Sequence, residues 1–215
     1  LVEAQHVAAT MKLVDDQREQ DVLEALLDAS KPRLPAGTLE LDYLLATPFR
    51  SPTRRYGSRF RAPADPGVFY GAESIHTASA EVGYWRWVFL KDAVELERLE
   101  PVAHTAFSAS VATTAIDLRA GPFDVDTAAW VHPSDYSRTQ AFARVARSAS
   151  VGAIVYQSVR SPEAAWCIAL LSPSAFAARK PGSRRETWYL AVSQSQVTWR
   201  SQRGSMRFST QSWRP

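Results

Sequence analysis

At 215 residues, with 46% hydrophobic and 22% charged side chains, the chain is long enough to bury one substantial core and has the balance of an ordinary folded domain. A membrane-spanning helix is excluded because no run of about 18 uncharged apolar residues occurs, and the opening Leu1-Val2-Glu3-Ala4 lacks the basic-then-apolar pattern of a secretory leader. The formal net charge of +3 is small for a protein organised around a polyanion, yet it is uneven: residues 3–28 are acid-rich, whereas Glu186 is the only acid from Arg179 onward.

The elements follow in chain order. Residues 7–29 have the spacing of one long amphipathic helix, with Val7, Met11, Val14, Val22, Leu23, Leu26 and Leu27 between charges, and Pro32 and Pro35 stop it. Its acidic character suggests an appendage over residues 1–38, packed on a partner or on the domain of residues 39–215 that follows. Residues 39–49 read as extended and lead into five arginines, Arg50, Arg54, Arg55, Arg59 and Arg61, with no acid among them. Arginine forks grip phosphate oxygens with paired donors. The Asp65-Pro66-Gly67 turn then leads to a short strand at Val68-Phe69-Tyr70.

From Ser74, a suitable N-cap, to Trp87 the pattern becomes helical, with Ile75, Ala78, Val82 and Trp85 as the face expected to meet the core and Glu81 at its edge. Residues 111–118 read as a strand, 136–146 as a second amphipathic helix, 152–158 as a strand ending in Gln157-Ser158, and 167–171 as a buried strand. Residues 186–192 and 196–200 are further strands. The Ser-, Gln- and Arg-rich end is expected to be partly disordered. Short strands interspersed with helices give an α+β fold, with small, mainly antiparallel sheets flanked by helices and an N-terminal helix ahead of them. Trp85, Trp87 and Trp130 are assigned to the core, an oligomer contact being the alternative.

Several chemistries can be set aside. His6, His76, His104 and His132 are scattered, so no metal site is expected, and Asp124 and Asp126 lack the later ligands of a calcium loop. Ser158 has no flanking glycines of a nucleophile elbow, and neither a GxxxxGK[ST] nor a GxGxxG phosphate loop is present. Phosphates would therefore be held by side chains. The single Cys167 precludes an intrachain disulfide, is expected as a buried structural thiol, and fits a reducing cytoplasm.

The pieces Pro48-Phe49-Arg50, Gly57-Ser58-Arg59-Phe60, Gly67-Val68-Phe69-Tyr70-Gly71-Ala72-Glu73, Ala78-Ser79-Ala80-Glu81 and Ala153-Ile154-Val155-Tyr156-Gln157-Ser158-Val159-Arg160, in that order, resemble the RES family, the toxins of RES and Xre toxin–antitoxin pairs. The family's arginine, glutamate and serine correspond to Arg59 or Arg50, Glu81 and Ser158. The resemblance implies a fold similar to ADP-ribosyltransferases. It also implies an activity that consumes NAD+ as substrate by hydrolysis, phosphorolysis or ADP-ribose transfer to a protein, and neutralisation by an Xre-type antitoxin, through which alone nucleic acid would be engaged.

On this reading Glu81 contacts the ribose and stabilises its developing cation, Arg50 and Arg59 hold the pyrophosphate, Tyr70 stacks on nicotinamide or lines its slot and Ser158 hydrogen-bonds nearby. Relatives carry an aromatic residue after the first arginine where this chain has Ser51, and Tyr56 is expected to fill that space. Arg54, Arg55 and Arg61 are read as surface charge. Each site residue also has a plainer reading: Glu81 paired with Arg86, Tyr70 in the core, Ser158 satisfying a strand-end backbone group, and Arg50 and Arg59 in surface ion pairs. The alternative function is a nucleic-acid-binding module, its basic stretches interleaved with Phe49, Tyr56, Phe60, Trp188, Tyr189, Trp199 and Trp213. A third reading, which Ser51 permits, is an inert NAD-binding or partner-binding descendant.

Overall fold

The computed structural model describes residues 1–3, 14, 16–30, 34–50 and 57–213. Two sheets carry the fold, with strands numbered in chain order. One is antiparallel and five-stranded, in the order β1 (Val2–Glu3), β3 (Arg98–Phe107), β7 (Arg185–Ser193), β8 (Gln196–Ser201) and β9 (Gly204–Ser209). The other has four strands, β2 (Phe69–Ala72), β6 (Trp166–Leu170), β5 (Ala153–Gln157) and β4 (Ala115–Asp117), antiparallel except for the β4–β5 pair. With five α-helices around them among the described residues, this is the α+β fold expected. Among the described residues no helix is long and apolar enough to cross a membrane.

Strand alternation builds the first core: Trp188, Leu190 and Val192 from β7, Val197 and Trp199 from β8 and Phe208 from β9 point to one side of the five-stranded sheet. Across that side lies helix α3 (Ile75–Asp92), which contributes Ala80, Trp87 and Leu90. Gly83 sets their spacing, since a Cβ there would stand 2.8 Å from Cγ1 of Val197. A glycine inside a helix costs about 1 kcal/mol relative to alanine, and here it lets the helix approach β8. The four-stranded sheet is covered on one face by α4 (Thr127–Trp130) and α5 (Ser137–Ser148) through Trp130, Ala143 and Ala146. Leu45 and Phe49 pack against Phe69 and Leu170 in a separate cluster.

The structure corrects the reading of residues 39–49 as extended. They form helix α2 (Tyr43–Ala46) and a 3₁₀ turn (Thr47–Phe49), because the Asp42 carboxylate accepts the Leu44 N–H at 2.9 Å and Leu44, Leu45 and Phe49 gain a core. The turn is pressed against Gly67, where a Cβ would lie 2.2 Å from the Pro48 carbonyl. That close approach physically joins two of the motif pieces. The strand foreseen over residues 111–118 is confined to β4, and the ten-residue β3 was not foreseen. Its register shifts between Leu99 and Val102, so the alternation is broken in the sequence.

At the amino end, α1 (Gln17–Ser30) occupies the second half of the helix read over residues 7–29, while residues 4–13 lie outside the described residues. Val22, Leu26 and Leu27 are exposed on it. Within the span read as an appendage, Val2 and Glu3 pair with Thr105 and His104 as an edge strand of the domain's own sheet. The carboxyl end read as partly disordered is also corrected: β9 and the 3₁₀ turn Thr210–Trp213 are ordered by burial of Phe208 and Trp213.

The largest correction concerns α3. The face expected in the core, Ile75, Ala78, Val82 and Trp85, lines an open cleft instead, with Trp85 49% exposed, whereas Thr77, Ala80, Gly83, Trp87 and Leu90 face inward. Trp87 and Trp130 are core residues as expected, and Trp85 is not.

His104 of β3 is buried, edge-on to Trp199 with ring centroids 5.0 Å apart, and its Nδ1 lies 3.0 Å from the Val102 carbonyl. Burial, the dominant cause, holds its pKa below the ordinary 6.5. The unfolded chain therefore takes up the proton first, so this residue's stabilising contribution is complete above about pH 6.5 and declines as pH falls toward the folded pKa. The melting temperature should drop across pH 6.5 to 5, and His104→Phe should flatten that drop. An equal slope in the variant would show the imidazole is not responsible.

Candidate active site

A cleft of about 820 Å³ runs between the two sheets along α3. It is near the upper end of the roughly 300–1,000 Å³ typical of small-molecule sites. Its position on α3 is set locally by Ser74, whose Oγ accepts the Thr77 N–H at 3.1 Å and starts the helix. Glu81 then falls two turns along, on the cleft side.

Glu81 and Ser158, 77 residues apart in the chain, meet here: the Ser158 hydroxyl donates to Glu81 Oε1 at 2.6 Å. The same Oγ accepts backbone N–H groups from Arg160 at 3.3 Å and Ser161 at 3.1 Å. With both lone pairs taken, the hydroxyl proton can only point at the carboxylate. Ser158 is thus buried just beyond the end of β5 and serves as a clamp on one carboxylate oxygen. The pairing of Glu81 with Arg86 does not form; Arg86 pairs with Glu3.

Cys167 on β6 lies on the same wall, its Sγ 3.9 Å from Glu81 Oε1. Burial, with the adjacent Glu81 charge second, pushes the thiol up to about 12. It should resist iodoacetamide at pH 8 in the folded protein and react rapidly once unfolded, as followed by mass spectrometry. Fast native alkylation would contradict this environment. Tyr156, one strand over, is held well above its ordinary pKa, first by burial and then by Cys167 and Glu81. Both groups are therefore neutral near pH 7.

Tyr70 of β2 lines the cleft, and its hydroxyl accepts the Phe60 N–H at 3.0 Å and shares a 2.8 Å hydrogen bond with Ser58. Burial raises its pKa. Arg59, in the loop just before, also lines the cleft and is buried. Its Nη1 donates to the carbonyls of Trp130 at 2.8 Å and His132 at 3.0 Å, and its guanidinium lies 4.6 Å from the Tyr136 ring centroid. Helix α5 holds this loop in place: Thr139 Oγ1 donates to the Arg59 carbonyl and Gln140 Nε2 to that of Ser58 at 3.0 Å.

Arg50 caps the 3₁₀ turn at Thr47–Phe49 and does not line the cleft. Ser51, Arg54, Arg55 and Tyr56 lie outside the described residues. The cleft also holds residues the sequence reading did not single out, namely Arg160, Glu73, Tyr136 and Trp166. Arg160 follows Ser158 by two positions in a quoted motif, and that adjacency was the available signal. Glu73 Oε1 accepts the Trp166 N–H at 2.8 Å, tying the start of α3 to β6.

Of the aromatics that a nucleic-acid surface would need, Phe49, Phe60, Trp188, Trp199 and Trp213 are buried in the cores, and Tyr189 is exposed. No curated protein matches the chain. The family model for the RES domain matches residues 33–193, a span that includes every cleft-lining residue from Ser58 to Glu186 and leaves out Leu1. A RES domain is consistent with the toxin module of a toxin–antitoxin pair. With that match lying over the Arg59, Tyr70, Glu81 and Ser158 positions just described, this chain belongs to the RES domain family.

Proposed function

We propose that this protein is the toxin of a toxin–antitoxin pair and cleaves NAD+ at the nicotinamide–ribose bond. The observation that carries this reading is the Glu81 carboxylate, clamped on one oxygen by Ser158 at 2.6 Å and facing a cleft of about 820 Å³. Cleavage separates C1′ of the ribose from the pyridinium nitrogen. The bonding electron pair leaves with nicotinamide, which departs neutral, so no general acid is required. Positive charge develops on C1′ and the ring oxygen, where a fixed carboxylate is most useful because it needs no reorganisation. The acceptor oxygen then adds to C1′ and gives up its proton.

Ser158 is a positioning residue in this scheme, holding Oε1 while Oε2 remains for the ribose. Tyr70 lines the nicotinamide slot, and Arg59, whose partners are carbonyls and an aromatic face, brings positive charge to the pyrophosphate. An ADP-ribosyltransferase-like arrangement fits these roles. Water, phosphate or a protein side chain would serve as acceptor, and an Xre-type antitoxin would neutralise the protein by covering the cleft.

The test is incubation of purified protein with NAD+, alone, with phosphate and with cell extract, while following nicotinamide release. Nicotinamide should appear with loss of NAD+, and the ADP-ribose product will identify the acceptor. NAD+ left intact in all three mixtures would refute the reading.

A further inference from the structure

We infer that Arg160 and Arg59 together form a diphosphate-binding pair, with Arg160 the second phosphate-gripping residue of the cleft; this rests on the NAD+-cleaving reading above. Both residues are buried, Arg160 at 5% and Arg59 at 8% exposure, and both line the cleft. Among the described residues neither forms an ion pair with a carboxylate. Both reach instead for carbonyls of one short segment, Arg59 for those of Trp130 and His132 and Arg160, through Nη2, for that of Pro133. Each also lies against an aromatic face, Arg160 at 3.5 Å from the Tyr84 centroid and Arg59 at 4.6 Å from that of Tyr136.

Carbonyl dipoles and ring faces orient a guanidinium without cancelling its charge, and two nearly dehydrated cations converging on one loop are costly unless an anion completes them. Arg160 presents five N–H donors and uses Nη2 for Pro133, so Nε and Nη1 keep donors for a ligand. A further arginine lining the cleft, Arg184, is already paired with Glu186 at 3.0 Å. Of the carboxylates that line the cleft, Glu186 is paired with Arg184 and Arg203 and Glu73 accepts the Trp166 N–H at 2.8 Å, while Glu81 is linked to the Arg160 backbone through Ser158. A diphosphate, with about two negative charges and several acceptor oxygens, fits both the charge and the donor geometry.

The backbone then sets the distance between this anion site and the reacting bond. The Arg160 N–H donates to the Ser158 Oγ that clamps Glu81, and the Arg160 carbonyl accepts the Trp213 Nε1–H at 2.8 Å. A phosphate held by Arg160 is therefore at a constant offset from the carboxylate, which turns binding energy at the pyrophosphate into alignment of the ribose.

The experiment titrates inorganic pyrophosphate into wild type, Arg160→Gln, Arg160→Lys and, as a control on the outer sheet face, Arg207→Gln, by calorimetry. It then measures NAD+ and nicotinamide riboside cleavage. Wild type and Arg207→Gln should bind pyrophosphate equally, Arg160→Gln at least about tenfold more weakly, and Arg160→Lys in between, because a charge without the fork retains part of the interaction. For NAD+, Arg160→Gln should lower kcat/KM at least about tenfold, through both KM and kcat, while the kcat/KM for nicotinamide riboside, which has no phosphate to be aligned, should fall by less than about threefold. Pyrophosphate binding by wild type that is lost in Arg160→Gln, with neither NAD+ nor nicotinamide riboside cleaved, would retain the anion site and reject the cleavage reading. Failure of wild type to bind pyrophosphate, unchanged binding in Arg160→Gln, or equal loss of both cleavage activities would overturn the inference.

Discussion

Glu81→Gln should lower nicotinamide release by about 10²–10³-fold, the range found when a preorganised charge or donor is removed from a developing ion. Glutamine keeps the shape of the side chain and an acceptor for the Ser158 hydroxyl, so the 2.6 Å contact can persist and the fold should be unchanged. What disappears is the negative charge facing C1′. The loss should fall on kcat, with KM for NAD+ changing little, because the carboxylate acts mainly in the transition state. Ser158→Ala should cost less, about tenfold, since the carboxylate stays charged and loses only one orienting hydrogen bond. A Glu81→Gln protein that retained more than a tenth of the wild-type rate, with an unchanged melting temperature, would remove Glu81 from the mechanism.

The second large effect is expected far along the chain. Trp213 is buried against Tyr84, Trp87 and Phe208, at ring-centroid distances of 5.8, 6.1 and 6.1 Å, and its Nε1–H donates to the Arg160 carbonyl at 2.8 Å. Truncation to alanine should cost about 3–5 kcal/mol, a fall in melting temperature of roughly 6–20 °C for a domain of this size. Trp213→Phe should separate packing from positioning. It keeps most of the aromatic contact but leaves the Arg160 carbonyl without its donor, so it should melt closer to wild type and still bind NAD+ more weakly. If Trp213→Ala melted like wild type, the carboxyl-terminal turn would carry no part of the core.

How much of this could be read from the chain is clearest along α3. The Ser74 cap, the helix after it and the placement of Glu81 at the edge of the apolar stripe all follow from local spacing, and the structure has each of them. The destination of the stripe did not follow. Hydrophobic periodicity reports that Ile75, Ala78, Val82 and Trp85 share a face; it carries no information about whether protein or an open cleft lies opposite. Glycine was the better guide, because Gly83 marks the side that presses on β8.

The same division applies to the charged residues. The motif order brought Arg59, Tyr70, Glu81 and Ser158 into consideration through family resemblance, and all but Ser158 line the cleft directly, with Ser158 bonded to Glu81 behind it. Arg50 and Arg160 looked equally basic in one dimension. The first caps a 3₁₀ turn and does not line the cleft, and the second lies buried in its wall. Their difference depends on carbonyls near residue 133, an indole at residue 213 and a tyrosine at residue 84, none of them a sequence neighbour.

Local signals therefore sufficed for the α+β class, the starts of α3 and α5, most strands and the buried Cys167, because caps, turns and alternation act over a few residues. Long-range pairing decided the rest. It placed β1 on β3, ordered β9 and the carboxyl-terminal turn, turned an apolar helix face toward a ligand-sized space, and selected which arginines lose their water. Those outcomes depend on what a residue meets across the fold, and a carboxylate 77 residues from its serine partner is the plainest case.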